Sequence, residues 1–200
     1  LRMKRTPEYY LTKGLDMVVN GVAAVIFLCC LAYAGYALWD NWSILDGSEN
    51  ALKTMVEYKP NEAEGLSYNF SQLMAMNPDV CGWVVMDHTG IDYPIVQGNS
   101  GDPGYYLYHD AGKRWDYHGV PYPTWECAEG GLLHSPNALV FGHHLQDGTM
   151  FSKLGGFIDV AYLDEHTPIQ IQTPTEKASL TVLAVDRVNA SRETVRLEFD

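Results

Sequence analysis

Asn137-Ala-Leu-Val-Phe-Gly-His-His-Leu-Gln-Asp-Gly-Thr-Met-Phe-Ser-Lys-Leu154 decides how this chain is read. Its apolar opening, Ala138 to Phe141, predicts a buried strand. Gly142 breaks the run and, lacking a Cβ, permits a close approach. His143 and His144 stand at the strand end, and Asp147-Gly148 signals a turn. Thr149 is placed to cap a short helix carrying Met150, Phe151 and Leu154 on one face. A strand that delivers an imidazole to a rim is a sound way to hold a general base, because imidazole titrates near neutral pH. From these residues alone the pair reads equally well as two loop histidines.

The 200 residues suffice for one membrane anchor and one domain of about 150 residues. A hydrophobic fraction of 46% supports a packed core and excludes global disorder. The net charge of −12, from 25 acidic and 13 basic residues, argues against nucleic acid as a partner. Two of the four cysteines, Cys29 and Cys30, lie in an apolar segment. Cys81 and Cys127 are isolated, with neither CxxC nor zinc spacing.

Val18 to Leu38 is almost wholly apolar and long enough to span a membrane. Arg2, Lys4, Arg5 and Lys13 precede it, while Asp40, Asp46 and Glu49 follow. The positive-inside rule then predicts a cytoplasmic N-terminus and an extracellular domain. Tyr33, Tyr36, Trp39 and Trp42 would form an aromatic belt at the outer interface. A cleaved signal peptide is the rival reading, because Ala32-Tyr33-Ala34 resembles a cleavage site. The apolar run continues past that site, which favours an uncleaved anchor.

The expected organisation is a cytoplasmic N-terminus (1–17), a transmembrane anchor (18–39), a helical linker with N-terminal helices (40–76) and a β domain (77–200). Leu45, Leu52, Met55 and Val56 recur at helical spacing with Glu49, Lys53 and Glu57 between them, and Pro60 stops that helix. A second helix is predicted over Phe70 to Met76, with Ser71 near its start and Asn77-Pro78 at its end. Strands are predicted over Gly82 to Met86, Ile91 to Val96, Ile169 to Gln172 and Ala178 to Val188. Pro94 suits an edge strand or a bulge. Tyr105 to Tyr108 is short and aromatic, and 109–136 reads as irregular. Strands at this spacing suggest a mainly β chain forming a barrel or sandwich.

Four blocks, in order, resemble class B sortases. They are Asn77-Pro78-Asp79-Val80-Cys81-Gly82-Trp83-Val84, Ile91-Asp92-Tyr93-Pro94-Ile95-Val96-Gln97-Gly98, Tyr105-Tyr106-Leu107-Tyr108-His109-Asp110, and Phe141 through Phe151 with its Gly-His-x-x-x-Asp-Gly-x-Met-Phe pattern. The resemblance covers about residues 70 to 190 and implies a sortase-like β-barrel with N-terminal helices, preceded by a single transmembrane helix. It implies a cysteine transpeptidase facing the cell wall of Gram-positive bacteria. Such enzymes use a Cys thiolate to cleave a C-terminal sorting signal, in class B often Asn-Pro-x-Thr-Asn-like, and an amine of the peptidoglycan precursor resolves the thioester. No cofactor is expected for this chain. His143, directly after Gly142, matches the family's catalytic His, and His144 is the secondary candidate. Neighbours on an extended chain point to opposite sides, which disfavours joint zinc binding by the pair.

The family also needs a Cys on a Thr-Leu-x-Thr-Cys strand and an Arg on the next strand, the Arg to stabilise the oxyanion. No Thr-Leu-x-Thr-Cys occurs here, and Thr181-Val182-Leu183 belongs to an earlier strand. Arg187, Arg192 and Arg196 precede the expected strand, so none inherits the Arg role. Cys81 reads as a buried thiol. Cys127 reads as an exposed thiol or as a partner for Cys81. The expectation is therefore a sortase sequence truncated before its Cys and Arg. The alternatives are a non-catalytic, membrane-anchored β domain acting as a binding module, and a metal-dependent peptidase using the His pair.

Overall fold

The computed structural model describes residues 7–61, 65–166 and 168–189, with the backbone alone for 44–54. Arg2, Lys4, Arg5, Arg192 and Arg196 lie outside the described residues, as do the side chains of Leu45, Glu49, Leu52 and Lys53. The chain divides into two units, Leu1–Leu45 and Asp46–Asp200.

Helix α1 runs unbroken over Pro7–Val56, so the predicted anchor and the first linker helix are one element. Within its stretch Pro7–Ser43 the most apolar 18-residue window has a mean hydropathy of 2.3 and is not buried, which makes the helix long and apolar enough to cross a membrane. Within the second unit, α1 ends at Val56 and Met55 is 2% exposed, packed with Phe70, Leu73 and Trp83. Just beyond it, Lys59 Nζ pairs with Asp92 Oδ2 at 2.6 Å. Asp92 Oδ1 accepts the Trp83 indole N–H at 2.7 Å.

Helix α2, Leu66–Met76, begins earlier than its apolar spacing suggests, so Ser71 lies mid-helix. Asn77 ends it, with its backbone N–H bonded to the Leu73 carbonyl. The following strands β1 (Val80–Met86) and β2 (Ile91–Val96) form an antiparallel hairpin. Its turn needs positive φ at His88 and Gly90. β5 (Ile169–Gln172) pairs with β1, and β6 (Lys177–Leu180) with β5. The order is β2-β1-β5-β6, which leaves Pro94 on an edge strand where its missing N–H costs no ladder bond. A separate two-stranded sheet joins β3 (Tyr122–Pro123) to β4 (Val140–Phe141).

The four-stranded sheet is covered on both faces, which is why β1 carries no strict polar alternation. One cluster sets Trp83, Val80 and Val96 against Phe70 and Leu73 of α2. The other joins Val84, Met86, Ile91, Ile95 and Ile171 to Phe157, with Met150, Phe151 and Leu154 packed on its border.

Several expectations are corrected. The chain is not mainly β, because α1 alone has 50 residues and outweighs all the described strands. No closed barrel forms among the described residues. β6 stops at Leu180 instead of continuing to Val188, and no described strand pairs with its outer edge. Leu183, 99% exposed, shows the result: an apolar segment without a ladder. The strand before the histidines is only Val140–Phe141 and half-buried. Within 109–136 the structure adds β3 and a short helix α3 (Cys127–Gly130). Helix α4 (Val160–Glu165) was not foreseen, although Asp159 caps it by accepting the Ala161 N–H.

Candidate functional site

Gly142 is where β4 meets its follow-on turn. A Cβ there would stand 2.6 Å from the Phe151 ring, so only glycine lets the strand pass that closely. The Phe151 N–H donates to the His143 carbonyl at 2.9 Å, and His144 bridges to Met150, closing a tight loop. Gly148 (φ 83°) and Met150 (φ 52°) take left-handed conformations to make it. Thr149 does not cap a helix. Its N–H and hydroxyl both donate to Asp147 Oδ1, at 2.9 and 2.7 Å, in an Asx turn that outcompetes the cap. The helical turn starts later, at Ser152 (a 3-10 helix to Ile158), whose hydroxyl accepts the Leu145 N–H at 2.7 Å.

The two imidazoles diverge. His143 Nε2 lies 2.7 Å from the Leu107 carbonyl oxygen, so that nitrogen carries the proton and donates it. In the neutral ring this puts the lone pair on Nδ1. The Tyr117 ring stacks on His143 at 5.8 Å and 20°, and Tyr108 lies at 5.4 Å and 53°. His144 is exposed and lines a cavity of about 860 Å³ with Met86, Ser152, Phe157, Ile169 and Arg187. Among the described residues no group of three His, Cys, Asp or Glu side chains is placed to hold a metal ion.

The Leu107 carbonyl is itself held in place. It belongs to a 3-10 turn, Tyr105–Leu107, whose Tyr106 is buried. The Tyr106 hydroxyl donates to Asp79 Oδ2 at 2.7 Å and accepts from Asn77 Nδ2 at 3.1 Å. Asn77 also donates to the Ala111 carbonyl, and Lys113 pairs with Asp79 at 2.8 Å. Burial by itself would raise the Asp79 carboxyl, but bonds from Lys113 and Tyr106 and the Lys113 charge hold it below the usual carboxylate range. Burial first, then the Asp79 bond, pushes the Tyr106 phenol up.

Neither domain cysteine has the surroundings of a nucleophile. Burial, with some help from the nearby Cys127, pushes the Cys81 thiol up to about 12. Its Sγ lies 3.5 Å from the Ile95 carbonyl. Cys127 is buried, not exposed, with Thr124 Oγ1 at 3.4 Å and the Asn137 carbonyl at 3.8 Å. The two thiols are unbridged. The sequence reading missed the partners of His143. Leu107 and Tyr117 reach it from distant turns, and no local pattern announces them.

The site is thus a strand-end histidine after glycine in a mixed sheet-and-helix domain, held by the turn that follows the second strand. Comparison with known proteins gives the class. Sortase B of Listeria monocytogenes serovar 1/2a is 27% identical over 193 residues, 95% of this chain and 75% of that protein. Sortase B of Staphylococcus aureus is 22% identical over 184 residues, 90% of this chain and 73% of that protein. The crystal structure of sortase B from S. aureus complexed with MTSET superposes with a TM-score of 0.63 at 20% identity, covering 77% of this chain and 64% of that one. The chain thus spans about two thirds to three quarters of these proteins. No family model matches it. By sequence and by fold this chain is a relative of class B sortases.

Proposed function

We propose that this chain belongs to a membrane-anchored, sortase B-like cysteine transpeptidase that attaches surface proteins to peptidoglycan. The observation that carries the reading is the likeness to sortase B along 95% of the chain. Val18 to Leu38 is the anchor, the N-terminus is cytoplasmic, and the domain faces the cell wall. In this reading 1–17 is cytoplasmic, 18–39 is the anchor, 40–76 holds the linker and N-terminal helices, and 77–200 is the domain. A thiolate adds to the scissile carbonyl of a sorting signal, the C–N bond breaks, and His143 protonates the leaving amine. A peptidoglycan amine then attacks the thioester, loses its proton to His143 and releases the thiolate, which restores the starting thiolate and protonated His143. The nucleophilic Cys and the oxyanion Arg take no position in this sequence.

His143 suits the acid–base role because its Nε2 is committed to Leu107, which fixes the ring and directs the Nδ1 lone pair. One observation favours His144 instead: it shares the large cavity with Arg187, and His143 does not line it.

The test is the single-turnover rate with an Asn-Pro-x-Thr-Asn peptide, using protein expressed from the complete coding sequence. His143→Ala is expected to lower the rate about 10²–10⁴-fold, His144→Ala much less, at equal thermal stability. A larger loss in His144→Ala reverses the assignment. No thioester in the unsubstituted protein sinks the transpeptidase reading in favour of a binding module.

A further inference from the structure

His118 meets carboxylate oxygens with both ring nitrogens. Nδ1 lies 2.9 Å from Oδ1 of Asp116, and Nε2 lies 3.3 Å from Oδ2 of Asp147. Asp116 is 1% exposed and also accepts the His118 backbone N–H at 3.0 Å, so it is a fixed post inside the domain. Asp147 sits at the surface on the turn that follows His143. Its Oδ1 is taken by Thr149, which leaves Oδ2 towards the imidazole. A carboxylate oxygen only accepts, so the arrangement is complete when both ring nitrogens donate. The same segment supplies Tyr117, the ring stacked on His143.

We propose that His118 is the positioning residue of this site, clamping the Asp147 turn to Asp116 and so fixing the direction of His143 against Tyr117. Its catalytic consequence rests on the transpeptidase reading above; the clamp itself does not. The groups facing the ring are Asp116 on its own segment and Asp147 on the turn, with Tyr117 edge-on at 6.2 Å.

Amide hydrogen exchange of the full chain in detergent, at one fixed pH, tests this. Protection of the 145–151 amides should fall about tenfold in His118→Ala and in Asp147→Asn, and the double variant should be no lower than either alone. The His143 ring resonances, shifted by the Tyr117 ring, should move in both variants towards their positions in Tyr117→Leu. His118→Ala disturbs the surroundings of a buried carboxylate, so Asp147→Asn at the exposed end decides the matter if the first variant misfolds. Wild-type protection in Asp147→Asn overturns the proposal. Exchange needs no turnover, so an inactive protein whose turn loses protection in these variants would sink only the transpeptidase reading.

Discussion

The carbonyl oxygen of Leu107 accepts the Nε2 proton of His143 at 2.7 Å, across 36 residues of sequence. The same carbonyl is backed by Gly119, whose φ is +59°. A Cβ at 119 would collide with it and stand 2.6 Å from the Tyr106 carbonyl oxygen. Gly119 is therefore as much a part of the histidine's setting as the hydrogen bond is.

Gly119→Ala should accordingly destabilise the domain by more than about 2 kcal/mol, because it adds a steric clash to an unfavourable backbone region. The readout is the urea midpoint, with the His143 ring resonances followed below the transition. An unchanged midpoint would mean that the close approach of 106–107 to 119 does not exist in solution.

Asp79 gives a pH signature. Its folded value is depressed below the ordinary 3.8, so its contribution is fully present above that value and is lost as pH falls through the lower folded value. The side chain is 39% exposed and its Lys113 partner 43%, so solvent screening holds the effect below about 1 kcal/mol. Thermal melts of the unsubstituted chain and of Asp79→Asn should differ near neutrality and converge in acid. Parallel curves down to the lowest pH would rule the carboxylate out as the source.

Cys81 should be nearly inert to alkylation in the folded state. A thiol raised from 9.0 to about 12 loses roughly a thousandfold of its thiolate near neutral pH. Iodoacetamide labelling followed by peptide mapping should mark Cys81 only after denaturation. A polypeptide of these 200 residues should likewise form no thioester with a sorting-signal peptide. Thioester formation that Cys127→Ala abolishes would make Cys127 the nucleophile.

Topology is open to direct measurement. Protease added to intact protoplasts should digest the domain while leaving the segment before Val18 protected, as the Lys/Arg asymmetry implies. A protected domain, or a mature N-terminus near Ala34 or Ala37, would contradict an uncleaved anchor.

The parts of this fold that the sequence makes legible are those written in local pattern. β2 runs from Ile91 to Val96 and β5 from Ile169 to Gln172, as their β-branched runs and flanking turns predict. β6 was read too long because Val182, Leu183, Val185 and Val188 look like strand residues, whereas a strand also needs a partner for its backbone. Asp159 is an N-cap for α4 of a kind that local sequence can show. Thr149 misled in the opposite sense, since an Asx turn uses the same short side chains as a cap. The glycine before His143 was legible as a close approach, but its partner, the Phe151 ring, was visible only as a core residue. Leu107, Tyr117 and His118 reach the site through contacts that no periodicity encodes.

The junction at Met55, Lys59 and Asp92 has a mechanical consequence. Tension arriving from the N-terminal side does not reach the tip of β1 first. It is taken by a side chain seated in the core and by an ion pair to Asp92, itself braced by the Trp83 indole. Helix α2 and strand β1 lie downstream of that point in the chain. A pull from the N-terminal side loads this junction before it loads β1.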